Sequence, residues 1–140
     1  MFVQLLTLRE IVRPVKRVRV LVISEHDEVL LVRNWIGNSH WEMPGGGVGR
    51  KESEKSAAAR ELREETGIEV TENLLQYVTT INATYQAPIY VVRINKEQFR
   101  YLEKRSWEIV ATKWFHRDAL PNNVSSLVRR AVSLVDGVAT

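Results

Sequence analysis

Residues 44–68 read PGGGVGRKESEKSAAARELREETGI, and the way this stretch parses decides the fold. Three glycines, Gly45 to Gly47, can bring bare backbone close to another group. Ser53 is suited to cap a helix, and Glu54 in the first turn suits the helix dipole. The helix runs through Ala57 to Ala59 and stops at Gly67. Near its end, Glu61, Glu64 and Glu65 stand at i, i+3 and i+4 and so share one face. Each close pair of like charges there costs about 0.2–0.5 kcal/mol. A hard divalent cation with oxygen ligands would turn that cost into a gain. Turned-in backbone beside clustered carboxylates reads as a metal and phosphate site.

The spacing resembles the Nudix box of the Nudix hydrolases. That pattern is Gly, five residues, Glu, seven residues, then Arg-Glu-aliphatic-x-Glu-Glu-x-Gly-aliphatic. Gly46, Glu52, Arg60, Glu61, Leu62, Glu64, Glu65, Gly67 and Ile68 meet it with no departure. The box spans 23 of 140 residues, and the preceding Trp41-Glu42-Met43-Pro44-Gly45 also looks family-like. The competing reading is a solvated helix with an acidic face after a flexible turn, and a match at nine fixed positions weighs against it.

Composition fits a single domain over residues 1–140, with 1–14 an N-terminal extension assigned to no element. Hydrophobic content of 44% and charged content of 26% are ordinary for a globular protein. A net charge of +3 points to no particular partner. The absence of cysteine excludes a disulfide framework, a zinc-thiolate cluster and a cysteine nucleophile. It also fits a reducing compartment. The N-terminus does not read as a signal peptide, and no apolar run approaches the roughly 20 residues that span a membrane. The expectation is a cytoplasmic protein without a membrane or DNA partner.

Strand periodicity covers 15–23, where Val18, Val20 and Val22 alternate with Arg17, Arg19 and Leu21, predicting one buried face. Residues 24–28 turn into a return strand at 29–34. A loop follows at 35–40, rich in small polar residues. After the box helix, 74–82 and 88–94 form a second predicted hairpin around a turn at 83–87. Residues 95–106 are a charged connection and 107–115 a strand. Residues 122–135 form a helix, with Val124, Leu127, Val128, Ala131 and Leu134 on one side. The order predicts an α/β fold, a mixed sheet with a helix on each face. The resemblance implies the same Nudix-type α/β/α sandwich.

The resemblance also implies a chemistry. Glu64 and Glu65 would be direct ligands of Mg2+, with Mn2+ the alternative, and Gly45 would add a backbone carbonyl. Glu61 would ligate a second metal or act as base toward water; its bland alternative is simple pairing with a nearby basic group. Arg60 joins Glu61 and Glu64 in the catalytic set by orienting the glutamates while paired with Glu52, because a guanidinium can hold a carboxylate bidentately. Gly46, Glu52 and Gly67 are structural positions of the motif, and Leu62 and the alanines pack on the sheet. Glu108, ahead of Trp114-Phe115, stands where many Nudix sequences carry a further acidic ligand or base; the competing reading is an exposed residue at a strand start.

Substrate contacts fall outside the box. His40 is close to the glycine loop, whereas His26 and His116 read as solvated. Trp35, Trp41, Tyr85 and Tyr90 can stack a base, although most aromatics in a domain of this size are core. Tyr85 lies seventeen residues after Ile68, a distance at which dinucleoside-polyphosphate hydrolases of the family often carry a tyrosine. Neither Ala83 nor Thr84 is the proline that ADP-ribose hydrolases tend to have. Arg13, Lys16, Arg17 and Arg19 form a basic run best read as an exposed strand face. Arg33, whose strand leads into the site loop, is the cation placed toward the substrate.

The expected reaction is Mg2+-dependent hydrolysis of a diphosphate bond in a nucleoside diphosphate linked to another moiety, by metal-activated water. The alternative is a non-catalytic Nudix-fold module that senses a nucleotide, although such modules usually have damaged boxes. An allylic-diphosphate isomerase would need a cysteine. Homodimers are common among relatives.

Overall fold

The computed structural model describes residues 15–34, 40–97 and 109–136. Expectations for residues 1–14, Trp35, the connection beyond residue 97 and Glu108 lie outside these residues.

The chain enters through strand β1 (Arg17–Ser24) and returns as β2 (Glu28–Asn34). Between them Ser24 Oγ accepts the N–H groups of His26 and Glu28, at 3.1 and 3.3 Å. Asp27 takes φ 57°, a left-handed value that a short polar side chain tolerates. β1 and β2 register at Ile23 and Val29 and then part. Two short strands take up the edges this leaves. β3 (Trp41–Glu42) pairs with Val32 and Arg33 of β2, and β4 (Gly45–Gly47) pairs antiparallel with Arg17–Arg19 of β1. The glycine segment therefore sits in a parting of the sheet.

Helix α1 (Glu54–Thr66) follows, then a 3-10 turn at Glu72–Leu74 and strands β5 (Gln76–Asn82) and β6 (Gln86–Ile94). β6 runs parallel to β1, and β7 (Ile109–His116) runs antiparallel to β2. Helix α2 (Ser126–Asp136) closes the described chain. The main path of the mixed sheet is β3-β2-β1-β6-β5, with β4 and β7 attached to β1 and β2.

Two apolar clusters sandwich this sheet. On one face Val18, Val20, Val22, Leu30, Tyr90 and Val92 pack with Ala57, Ala58 and Leu62 of α1. On the other, Leu21, Ile23, Leu31, Met43 and Ile89 pack with Leu127, Val128 and Ala131 of α2. The predicted α/β class, mixed sheet and helix on each face are all present.

One burial pattern and two element starts differ from the periodicity reading. β1 buries both faces rather than one, because it lies inside the sheet between two helices. β6 starts at Gln86, ahead of Pro88. Proline has no N–H for a ladder, yet here it falls between the Lys16–Gln86 bridge and the Arg19–Ile89 start of the parallel register. α2 starts at Ser126 rather than 122, after a turn in which Val124 N–H donates to Pro121.

Candidate active site

Helix α1 presents its carboxylates at fixed depths because both ends are capped. Ser53 Oγ accepts the N–H of Ser56, and Gly67, at φ 81°, donates to the carbonyl of Arg63. Ala57, Ala58 and Leu62 anchor the helix in the core beside these acids. Glu65 is buried, Glu61 mostly buried and Glu64 half exposed, so the acidic face grades outward.

The glycine strand approaches this face directly. Gly45 N–H donates to Glu65 Oε1 at 2.7 Å. A Cβ on Gly46 would lie 2.6 Å from the Glu61 carboxyl carbon, so glycine is required for that close approach. A Cβ on Gly45 would sit 1.9 Å from the Val18 carbonyl oxygen, where β4 lies against β1.

Arg60 ties the loop to the helix. Its Nε and NH2 donate to the two oxygens of Glu52 at 2.7 and 2.9 Å, a bidentate fork. NH2 also donates to the Gly47 carbonyl at 3.1 Å. NH1 donates to Glu61 at 3.0 Å and to Glu64 at 3.2 Å. The fork, with help from the Gly49 N–H, pulls the Glu52 pKa down to about 2. Glu52 in turn is the main reason that the Arg60 pKa is raised. Burial pushes the Glu61 pKa up against the pull of Arg60, and repulsion from Glu64 adds to it.

Among the described residues, no three histidines or carboxylates converge closely enough to enclose a metal ion. The donor chemistry nevertheless fits a hard divalent cation: Glu61, Glu64 and Glu65 offer only oxygen, beside backbone at Gly45. Arg60, bonded to Glu61 and Glu64, brings positive charge to this face, and Arg17 adds to it at Glu61.

A cleft of about 580 Å3 is lined by Arg19, Asn34, His40, Glu42, Tyr85 and the start of α2. Arg19 is buried on β1; NH1 donates to the Met43 carbonyl at 3.2 Å and NH2 to the Tyr85 hydroxyl at 3.3 Å. Burial alone would lower the Arg19 pKa, but Glu42, Tyr85 and Glu65 together raise it, so the guanidinium is a permanent cation. The Arg17 guanidinium lies 5.9 Å from the Tyr85 ring centre, and that of Arg19 lies 6.0 Å away.

Of the residues expected at the substrate, His40 and Tyr85 line this cleft. Arg33 does not; its guanidinium lies 5.4 Å from the Trp41 ring centre. Glu108 lies outside the described residues. The exposed-face reading of the basic run fails at Arg19, which is 8% exposed. Arg19 and Glu42 line the same cleft, although neither stands among the substrate contacts expected from the sequence. The available signal for Arg19 was an arginine flanked by Val18 and Val20, followed by an apolar run through Ile23.

The model of the NUDIX domain matches residues 13–134 of the chain. An mRNA-decapping enzyme subunit 2 from Arabidopsis thaliana is 26% identical over 116 residues, 81% of this chain and 31% of that protein. An RNA pyrophosphohydrolase from Haemophilus influenzae is 28% identical over 90 residues, 64% of this chain and 45% of that protein. The chain thus spans less than half the length of these curated relatives. A MutT NUDIX hydrolase from Burkholderia pseudomallei superposes with a TM-score of 0.74 at 20% identity, over 88% of this chain and 98% of its own. With the carboxylate face of α1 held over a glycine strand by Arg60, and a family model spanning most of the sequence, the chain belongs to the NUDIX family.

Proposed function

We propose that this domain is a Mg2+-dependent pyrophosphohydrolase acting on a nucleoside diphosphate linked to another moiety. The observation that carries the reading is the acidic face of α1, complete and pinned against Gly45–Gly47 through Glu65 and Arg60. Glu64 and Glu65 would hold the cation with Gly45, and Glu61 would serve as a further ligand or as the base toward water. A bound divalent cation supplies charge neutralisation at the diphosphate and a more acidic water. Glu61 is suited to take a proton, since burial and Glu64 raise its pKa. Arg60 keeps Glu61 and Glu64 oriented and, through Glu52 and Gly47, keeps the loop in place. Glu108, which precedes β7 in the sequence, would add a ligand or base. The absence of cysteine supports a cytoplasmic setting, and the family supports testing for a homodimer.

The test is phosphate release with Mg2+ across nucleoside triphosphates and their oxidised forms, nucleotide sugars, ADP-ribose, dinucleoside polyphosphates and 5′-triphosphorylated RNA. The RNA arm is included because both curated relatives are named for RNA substrates. A preferred substrate whose turnover is lost in Glu64→Gln is expected. Near-normal rates in Glu64→Gln would overturn the assignment of the metal site. Nucleotide binding without turnover on any substrate would favour a sensing module.

A further inference from the structure

We infer that the cleft between Arg19, Glu42 and Tyr85 is a nucleobase subsite that selects a purine edge rich in N–H donors, guanine before adenine, with Glu42 as the specificity residue. The inference rests on the hydrolase reading for its place beside the diphosphate, but the geometry of the cleft stands apart from the metal.

Size and shape come first. About 580 Å3 lies within the range of small-molecule sites. Tyr85 supplies a flat face, and its hydroxyl is held by Arg19. Such a ring is suited to stack a heterocycle.

Charge comes second. Arg19 and Glu42 both line the cleft and offset each other, whereas the α1 face carries three carboxylates. A locally balanced cleft suits an uncharged heterocycle better than a further phosphate. Arg17 lies between the two regions, over Tyr85 and within the electrostatic reach of Glu61, where a phosphate leaving the base would pass.

Hydrogen-bonding capacity decides the edge. Glu42 Oε1 accepts the N–H of Met43 at 2.9 Å, which fixes the carboxylate. Its Oε2 accepts no hydrogen bond among the described residues. Asn34, on the same cleft, has a buried side-chain oxygen with no partner among them. An ionised carboxylate only accepts. Guanine offers adjacent N1–H and N2–H donors. Adenine sets an acceptor, N1, beside its amine, and a carboxylate repels that acceptor. Arg19 is a positioning residue here: it holds the Met43 carbonyl, next to Glu42, and the Tyr85 hydroxyl in one geometry.

The test uses the full chain and calorimetric binding of GMP, IMP and AMP, which have no diphosphate bond to cleave. GMP is expected to bind about tenfold or more tighter than AMP, with IMP between them, because an unmatched polar edge in a buried site is costly. Glu42→Gln, which keeps an oxygen for Met43, should weaken GMP about tenfold and change AMP by less than about twofold. Tyr85→Phe should retain binding of all three, and Tyr85→Ala should weaken all three. Equal affinity for the three nucleotides in the wild-type protein overturns the inference whatever the variants do. So does an unchanged GMP to AMP ratio in a folded Glu42→Gln protein. Matched RNAs beginning with 5′-triphosphorylated G or A then compare free nucleotide with an RNA end: a preference for G in either form supports the subsite, and indifference in both overturns it. Hydrolysis measured alongside separates the two readings. Base-selective binding without turnover removes the hydrolase and leaves the cleft, and turnover without base selection does the reverse.

Discussion

Arg60 and Glu52 face each other across the loop–helix junction through two hydrogen bonds of 2.7 and 2.9 Å, and the same guanidinium reaches Glu61 and Glu64. One planar cation therefore sets both the loop that carries the glycines and the face that carries the acids.

Replacing Arg60 by Lys keeps the charge and loses the fork. We expect kcat/KM to fall roughly 10–100-fold, the scale for residues that orient metal-ligating groups. Steady-state kinetics on the preferred substrate, with circular dichroism to confirm the fold, would check this. Unchanged activity would mean that Arg60 does not orient the glutamates.

The same pair sets a pH dependence. Glu52 has its folded pKa lowered from 4.5 to about 2, so the stability it contributes is present above pH 4.5 and is lost as pH falls toward 2. Urea unfolding at steps from pH 6 to pH 2.5 should show a decline for the wild-type protein that is shallower in Glu52→Gln. Parallel declines would place the acid sensitivity elsewhere.

Adjacent glycines should respond differently to one methyl group. In Gly46→Ala the new Cβ meets the Glu61 carboxyl at 2.6 Å, whereas nothing lies within 4 Å of a Cβ on Gly47. We expect Gly46→Ala to lose most of its turnover by displacing Glu61, while Gly47→Ala stays within about twofold of wild type, as a surface change of small energy does. Equal losses in the two variants would show that the approach to Glu61 is not what matters.

Leu62 tests the support beneath the acids. It is fully buried against the sheet, one residue after Glu61. Leu62→Ala should cost about 2–5 kcal/mol in denaturant unfolding. A smaller loss would indicate that the helix is held mainly by its polar contacts.

Much of this was legible in the residues. Ser53 and Gly67 gave the limits of α1 because caps are local chemistry, needing only a side-chain oxygen at one end and a left-handed backbone at the other. The spacing of Glu61, Glu64 and Glu65 likewise settles which side of the helix they share. What could not be read was tertiary. An alternation of Arg and Val looks half solvated, and only the neighbours of β1 show that Arg19 is enclosed and bonded to Met43 and Tyr85. Pro88 looked like a strand boundary, since its tolerance depends on where the partner register begins. The place of the Arg33 guanidinium over Trp41 is tertiary in the same way, since nothing local in the strand that leads into the site loop specifies it.

The early parting of β1 from β2 has a consequence for how such a domain can diversify. α1 is seated on one core and the Tyr85–Val124–Leu127 wall on the other, with the sheet as their shared floor. On the proposed reading, chemistry and taste are mounted on opposite sides of one partition. Exchanging the wall for that of a relative should give a protein with a new appetite and the same bite.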